Sequence, residues 1–104
     1  MPIDFGIEDE SGLVQHSSEH VDRKSFIEDV VPYPPDQQIP LISSIDPWGK
    51  TVFSGEILSL FVNEWISLVD SNPSAIDQRL QDEVLNFART ALSNPKYSLV
   101  FYGD

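Results

Sequence analysis

The chain contains no cysteine and only two histidines, His16 and His20, among its 104 residues. The lack of cysteine excludes a disulfide scaffold, thiol catalysis and every zinc site with cysteine ligands. Two histidines also exclude a three-histidine metal centre. Long apolar runs are missing too, since the longest is Leu99-Val100-Phe101-Tyr102 and a membrane span needs roughly 20 residues. The first ten residues carry four acids and no base, unlike a secretory peptide, so we expect a cytoplasmic protein.

Basic residues are scarce: six lysines and arginines stand against 17 acids, which leaves a net charge of −11. This charge disfavours nucleic acids and anionic membranes as partners, because their phosphates would be repelled. Apolar residues make up 40% of the chain, enough for a packed core in one domain. We therefore predict a soluble single domain over residues 1–104, with an acidic N-terminal part (1–38) and a second part (39–104). Residues 1–36 alone hold nine acids and two bases, a net charge of −7.

Two stretches have the apolar spacing of helices. Between Ser54 and Ser71 the apolar residues cover most of the circumference, which predicts a central, mostly buried helix capped by Ser54. The second predicted helix covers 74–93 and begins with a capping-box pattern, Ser74-x-x-Asp77. Its apolar residues recur every three or four positions: Ile76, Leu80, Val84, Phe87, Ala88 and Ala91. The short link between the two predicts an antiparallel helical hairpin.

Strand patterns flank these helices. Segments 41–45 and 51–53 predict a β-hairpin around the turn Asp46-Pro47-Trp48-Gly49. Segment 97–102 is aromatic and β-branched and predicts a buried strand. Two further strands are predicted at 3–7 and 13–15, and a short helix at 22–31 that Pro32 ends. The pattern predicts an α+β fold, an antiparallel sheet with two or three helices packed on one face.

One short motif matches a pattern of zinc peptidases. His16-Ser17-Ser18-Glu19-His20 fits H-x-x-E-H, in which two imidazoles hold zinc and the glutamate activates water. Its flanks are polar, whereas the motif requires an apolar helix and a third carboxylate on another element. The chain also lacks a glycine-rich phosphate loop and a G-x-S-x-G elbow. We predict no catalytic residue, metal or cofactor, and keep a small metal-dependent hydrolase using His16, Glu19 and His20 as a remote alternative.

Acidic residues and two aromatic residues form the predicted partner-binding set. Clustered acids steer a basic protein partner, and aromatic residues commonly supply the strongest contacts. The competing interpretation is that the acids only keep the protein soluble and that the tryptophan packs against the sheet. The predicted set is Glu8, Asp9, Glu10, Asp22, Glu28, Asp29 and Asp36, with Tyr33 and Trp48 as aromatic anchors.

The C-terminal part carries a resemblance to a known group of proteins. Residues 46–53 form a D-P-W-G-x-T-x-F step, and the chain ends in Phe101-Tyr102-Gly103-Asp104. Over roughly residues 39–104 the sequence resembles small acidic bacterial immunity proteins of contact-dependent and other polymorphic toxin systems. The resemblance implies an inhibitor that binds and neutralises a toxin domain, such as a basic nuclease. An acidic protein-binding adaptor or nucleic-acid mimic is the alternative.

Overall fold

A four-stranded antiparallel sheet forms the centre of the fold. A computed structural model describes residues 3–16, 27–72, 74 and 76–103. The strands are β1 (Asp4–Asp9), β2 (Gly12–His16), β3 (Lys50–Phe53) and β4 (Ser98–Tyr102), in the spatial order β2-β1-β4-β3. β4 lies between two neighbours, and its three central residues are fully buried. The predicted C-terminal strand is thus confirmed.

Within the described ranges, four helices accompany the sheet: α1 (Ile27–Val30), α2 (Pro40–Ser43), α3 (Gly55–Ser71) and α4 (Gln78–Leu92). The long helices α3 and α4 contact each other and both contact the sheet. Helix residues and alternate strand residues share one hydrophobic core. This arrangement is the predicted α+β fold. Among the described residues, no helix has the length and apolarity to cross a membrane.

The two N-terminal strands are also confirmed. β1 and β2 pair antiparallel, with an irregularity in register between Ile7 and Glu8. Phe5 and Ile7 belong to the core, so the alternating Gly6 and Glu8 lie on the opposite face of the sheet. We call this opposite side the open face, because α3 and α4 pack on the other one.

Aromatic rings fill the space between the sheet and the helices. The Phe61 ring in α3 contacts Phe53 of β3 at a centroid distance of 4.9 Å and Phe101 of β4 at 5.6 Å. Trp65, one turn further along α3, donates its indole N–H to the Gln81 carbonyl of α4 at 3.3 Å. The buried Gln81 amide in turn donates to the Ile76 carbonyl at 2.6 Å. Each of these buried polar groups has a partner, as burial requires.

The predicted hairpin of segments 41–45 and 51–53 is wrong. Leu41 and its neighbours form α2 instead, and β3 pairs with β4. Pro40 occupies the start of α2, where its fixed φ and missing N–H are tolerated. An apolar run this short fits a helix or a strand equally well. The turn itself is confirmed, because Asp46 Oδ1 accepts the Trp48 N–H at 2.8 Å.

Two details of the long helices also differ from the prediction. α3 buries only one side: Ile57 and Leu60 are each 53% exposed, so the helix is not mostly buried. The sheet and α4 cover part of its circumference, and the remaining apolar side chains face outward. α4 begins at Gln78 rather than at 74, since the Asp77 carboxylate accepts the Arg79 N–H and caps it.

Candidate functional site

An open groove of about 740 Å³ brings together the two predicted aromatic anchors. Tyr33 is 97% exposed and Trp48 is 68% exposed, yet both line this groove. They come from separate segments of the chain, the loop after α1 and the turn before β3. The other lining residues are mainly apolar: Ile3, Val31, Pro32, Pro35, Ile45 and Pro47, with Ser43, Ser44 and Asp46.

One wall of the groove is the loop that carries Tyr33, which includes a cis peptide bond between Tyr33 and Pro34. Hydrogen bonds connect this loop to the end of α2: the Asp36 N–H donates to Ser43 Oγ at 3.0 Å, and the Ser43 hydroxyl donates to the Asp36 carbonyl at 3.1 Å. The Asp36 carboxylate accepts the Gln38 N–H at 2.9 Å. These short-range bonds hold the loop in place and leave the Tyr33 ring in solvent.

The turn that carries Trp48 also lines the groove. The Asp46 N–H donates to Thr51 Oγ1 at 2.9 Å, and the Gly103 N–H donates to the Gly49 carbonyl at 2.6 Å. A Cβ atom on Gly103 would collide with the Pro47 backbone, so the close approach requires glycine here. The turn is therefore fixed by backbone groups together with the Thr51 hydroxyl and the Asp46 carboxylate, independently of the tryptophan side chain.

Glu64 binds the backbone of α2, the helix whose end lines the groove, and sequence reasoning missed this role. Its two carboxylate oxygens accept the backbone N–H groups of Ile42 at 2.6 Å and Leu41 at 3.1 Å. These donors lie in the first turn of α2, where backbone N–H groups lack helical partners and an acid is favourable. Glu64 thus joins α3 to α2, which continues into the groove residues Ser43 and Ser44. Sequence signals could not find it, because the donors are 22 and 23 residues away.

The charge that lines the groove is negative. Within the described part of the chain, Asp46 is the one charged side chain among the lining residues. Its Oδ1 atom holds the Trp48 N–H, and its Oδ2 lies 2.7 Å from where a Cβ of Gly49 would stand. Gly49 leaves room for this oxygen, and Asp46 is an exposed residue. The groove thus combines aromatic surface with a carboxylate at its edge.

Glu8, one of the predicted binding acids, lies on the open face of the sheet. Its carboxylate accepts a hydrogen bond from Tyr102 Oη and forms an ion pair with Lys50 Nζ at 2.9 Å. The Tyr102 hydrogen bond and then Lys50 hold the pKa of Glu8 below its ordinary value. Burial, followed by the Glu8 hydrogen bond, raises the pKa of Tyr102. The His16 ring stacks on Tyr102 at a centroid distance of 6.1 Å.

The remaining predicted acids are spread over the surface rather than gathered in the groove. Asp9 and Glu10 lie at the β1–β2 turn, where Asp9 Oδ1 accepts the Ser11 N–H at 2.8 Å. Asp29 lines a different pocket, beside Ile39. Asp22 and the Glu28 side chain lie outside the described residues, as do Glu19 and His20 of the H-x-x-E-H pattern. Among the residues that are described, no group of three or more His, Asp or Glu side chains could hold a metal ion.

The comparisons with known proteins add no family. Neither protein-family models, nor curated proteins, nor solved structures match this chain. The groove and the open face are therefore interpreted from their own geometry and charge.

Proposed function

We propose that this protein is a cytoplasmic immunity protein that binds a basic bacterial toxin domain and neutralises it. The observation that carries the proposal is the groove, in which two exposed aromatic rings stand over apolar surface. Buried contacts of tyrosine and tryptophan supply much of the binding energy in protein interfaces. The groove therefore serves as the centre of the interface, with Tyr33 and Trp48 as anchors.

The charge of the chain supports a basic partner. A net charge of −11 attracts a positively charged protein and raises its association rate by about 10- to 1000-fold at low salt. Asp9, Glu10, Asp29 and Asp36 remain predicted contributors to this attraction. They act at a distance, whereas the groove makes the desolvated contacts.

The D-P-W-G-x-T-x-F step supports the toxin-inhibitor proposal in a second way. In this chain Asp46, Pro47 and Trp48 line the groove, while Thr51 holds the turn and Phe53 packs in the core. The residues that carry the resemblance to immunity proteins thus contribute directly to the proposed binding surface.

The test is co-expression with the product of the neighbouring gene, followed by co-purification and a growth assay. We expect a complex, and growth protected from that product. Trp48→Ala and Tyr33→Ala should each raise the dissociation rate, because desolvated contacts determine residence time. Ile57→Ala is the matched control, since Ile57 is an exposed apolar residue of α3 outside the groove.

Experiments with salt and with charge-reversed variants distinguish long-range electrostatic attraction from direct contacts in the groove. Association should slow as salt rises, because exposed charges are screened. Reversal of Asp9 and Glu10 to lysine should slow association and leave dissociation unchanged. A neighbouring product that neither binds nor inhibits growth contradicts the proposal, and so does a complex unaffected by Trp48→Ala and Tyr33→Ala.

A further inference from the structure

We infer that the groove receives an arginine side chain of the protein partner, with its guanidinium stacked on Trp48 or Tyr33 and hydrogen-bonded to Asp46. The inference rests on the proposed function in that it assigns the ligand chemistry of the same groove. It is nevertheless testable without the partner, because the ligand group is a single side chain.

The charge of the groove selects a cation. Asp46 is the one charged side chain lining it among the described residues, so an acidic occupant would be repelled. An aliphatic occupant would bury the Asp46 carboxylate with no cationic partner, although its Oδ1 keeps the Trp48 N–H, and an unpaired buried charge is unfavourable. A cationic side chain provides that partner.

The aromatic rings favour the same occupant. Trp48 and Tyr33 expose most of their surface to solvent, and a cation over such a ring is attracted by its π electrons, most strongly over tryptophan. The aliphatic stem of the entering side chain would lie against the apolar lining, including Pro47 and Ile45. A long side chain with an apolar stem and a charged head matches both surfaces.

Arginine fits better than lysine for a geometric reason. A planar guanidinium stacks on an aromatic face while its N–H groups donate within the plane of the group. Asp46 is an exposed residue whose Oδ1 already accepts the Trp48 N–H, and a carboxylate has the capacity to accept further donors. The same carboxylate therefore positions the tryptophan backbone and presents an acceptor beside the ring.

The experiment titrates the intact protein with two blocked tripeptides, Ac-Gly-Arg-Gly-NH2 and its neutral citrulline isostere. The indole N–H signal of Trp48 is followed by NMR and is assigned by its loss in Trp48→Phe. We expect the arginine peptide to shift this signal saturably, with a dissociation constant on the order of millimolar. The citrulline peptide should bind at least about 10-fold more weakly, because it lacks the charge.

Asp46→Asn supplies the second arm. The amide oxygen can still accept the Trp48 N–H, so the turn is retained, but we expect about 10-fold weaker arginine binding. Asp9→Asn is the matched control. Asp9 makes the same turn contact, to the Ser11 N–H, and lies along β1 roughly 20 Å from Ile3 at the groove. Its substitution should change the affinity by less than about twofold.

The outcomes test the arginine site independently of toxin binding. Equal binding of the arginine and citrulline peptides, or no saturable shift of Trp48, overturns the arginine site. Undiminished binding to Asp46→Asn, with its NMR spectrum otherwise native, overturns it as well. In those cases Trp48→Ala can still weaken the toxin complex, which leaves the proposed function standing. Selective arginine binding without any toxin complex supports the site and contradicts the proposed function.

Discussion

The hydrophobic core and the groove both contain a tryptophan, and they use it in opposite ways. Trp65 is 2% exposed, lies between aromatic and aliphatic side chains of α3 and α4, and has its indole N–H bonded to Gln81. Trp48 is 68% exposed and lies on a turn whose backbone N–H and carbonyl groups bond to the Asp46 carboxylate and to Gly103. The core therefore depends on the volume of its side chains, whereas the groove depends on the backbone beneath them. We therefore expect exposed side chains of this kind to be replaceable without loss of the fold.

The largest difference in stability is expected between two tryptophan-to-alanine variants, one in the core and one in the groove. Trp65→Ala should lower the free energy of unfolding by about 3–5 kcal/mol, because it leaves a cavity in the core. Trp48→Ala should change it by less than about 0.5 kcal/mol, as for an exposed site. Urea unfolding of both variants measures the difference. Similar losses in the two variants would remove the distinction between core and groove.

Gly103→Ala tests whether the groove depends on its backbone. The added Cβ collides with the Pro47 backbone, so we expect a loss of about 1–3 kcal/mol and a displaced Trp48 turn. Gly6→Ala is the matched control, since its Cβ would stand 2.6 Å from the Gln15 carbonyl oxygen in β2. Both variants should lose stability in urea, but only Gly103→Ala should shift the Trp48 indole signal in NMR. A native Trp48 signal in Gly103→Ala would contradict the role of the Gly103 contact in holding the Trp48 turn.

Glu64 connects the two regions, and its removal should have a smaller effect. Glu64→Ala leaves two half-buried backbone donors of α2 without their acceptors and should lower the free energy of unfolding by about 1–2 kcal/mol. Glu64→Gln keeps one oxygen acceptor and should recover part of this loss. Glu56→Ala, an exposed acid of the same helix, serves as the control in urea unfolding. Equal stability of Glu64→Ala and Glu56→Ala would show that the cap does not hold α2.

The smallest effect concerns pH on the open face. The pKa of folded Glu8 lies below its ordinary value of 4.5 because of Tyr102 and Lys50. The stabilisation from Glu8 is therefore complete above that ordinary value and is lost as the pH falls through the lowered pKa. At pH 7 the free energy of unfolding of the wild type should exceed that of Glu8→Gln by at most about 1 kcal/mol, since the ion pair is partly exposed. Urea unfolding of both proteins should show a smaller difference in the free energy of unfolding at pH 3 than at pH 7. A difference that grows in acid would contradict the lowered pKa of Glu8.

Local signals in the sequence were sufficient for most of the secondary structure. The apolar spacing of α4, the turn at Asp46 and the aromatic strand ending at Tyr102 all depend on neighbouring residues, and the structure confirms them. The segment at Leu41 was predicted wrongly, because its short apolar run fits a helix or a strand and its N–H groups bond to Glu64 far along the chain. A carboxylate supplied by another element leaves no local pattern.

The candidate site shows the same division. The sequence marked Tyr33 and Trp48 as anchors from residue type alone, but nothing in it indicated that they line one groove. It marked Glu8 as a binding acid without indicating its bonds to Lys50 and Tyr102. Both facts arise from contacts between residues that are distant in the chain.

The sequence by itself determined the charge of this protein, its α+β class and the positions of its long helices, because composition and periodicity are local properties. Only the tertiary structure decided which side of α3 is buried, that β3 pairs with β4, and that the turn carrying Trp48 and the loop carrying Tyr33 line one groove. Such choices depend on which surfaces bury one another and on which distant groups satisfy backbone donors. Those interactions exist only once the chain has folded.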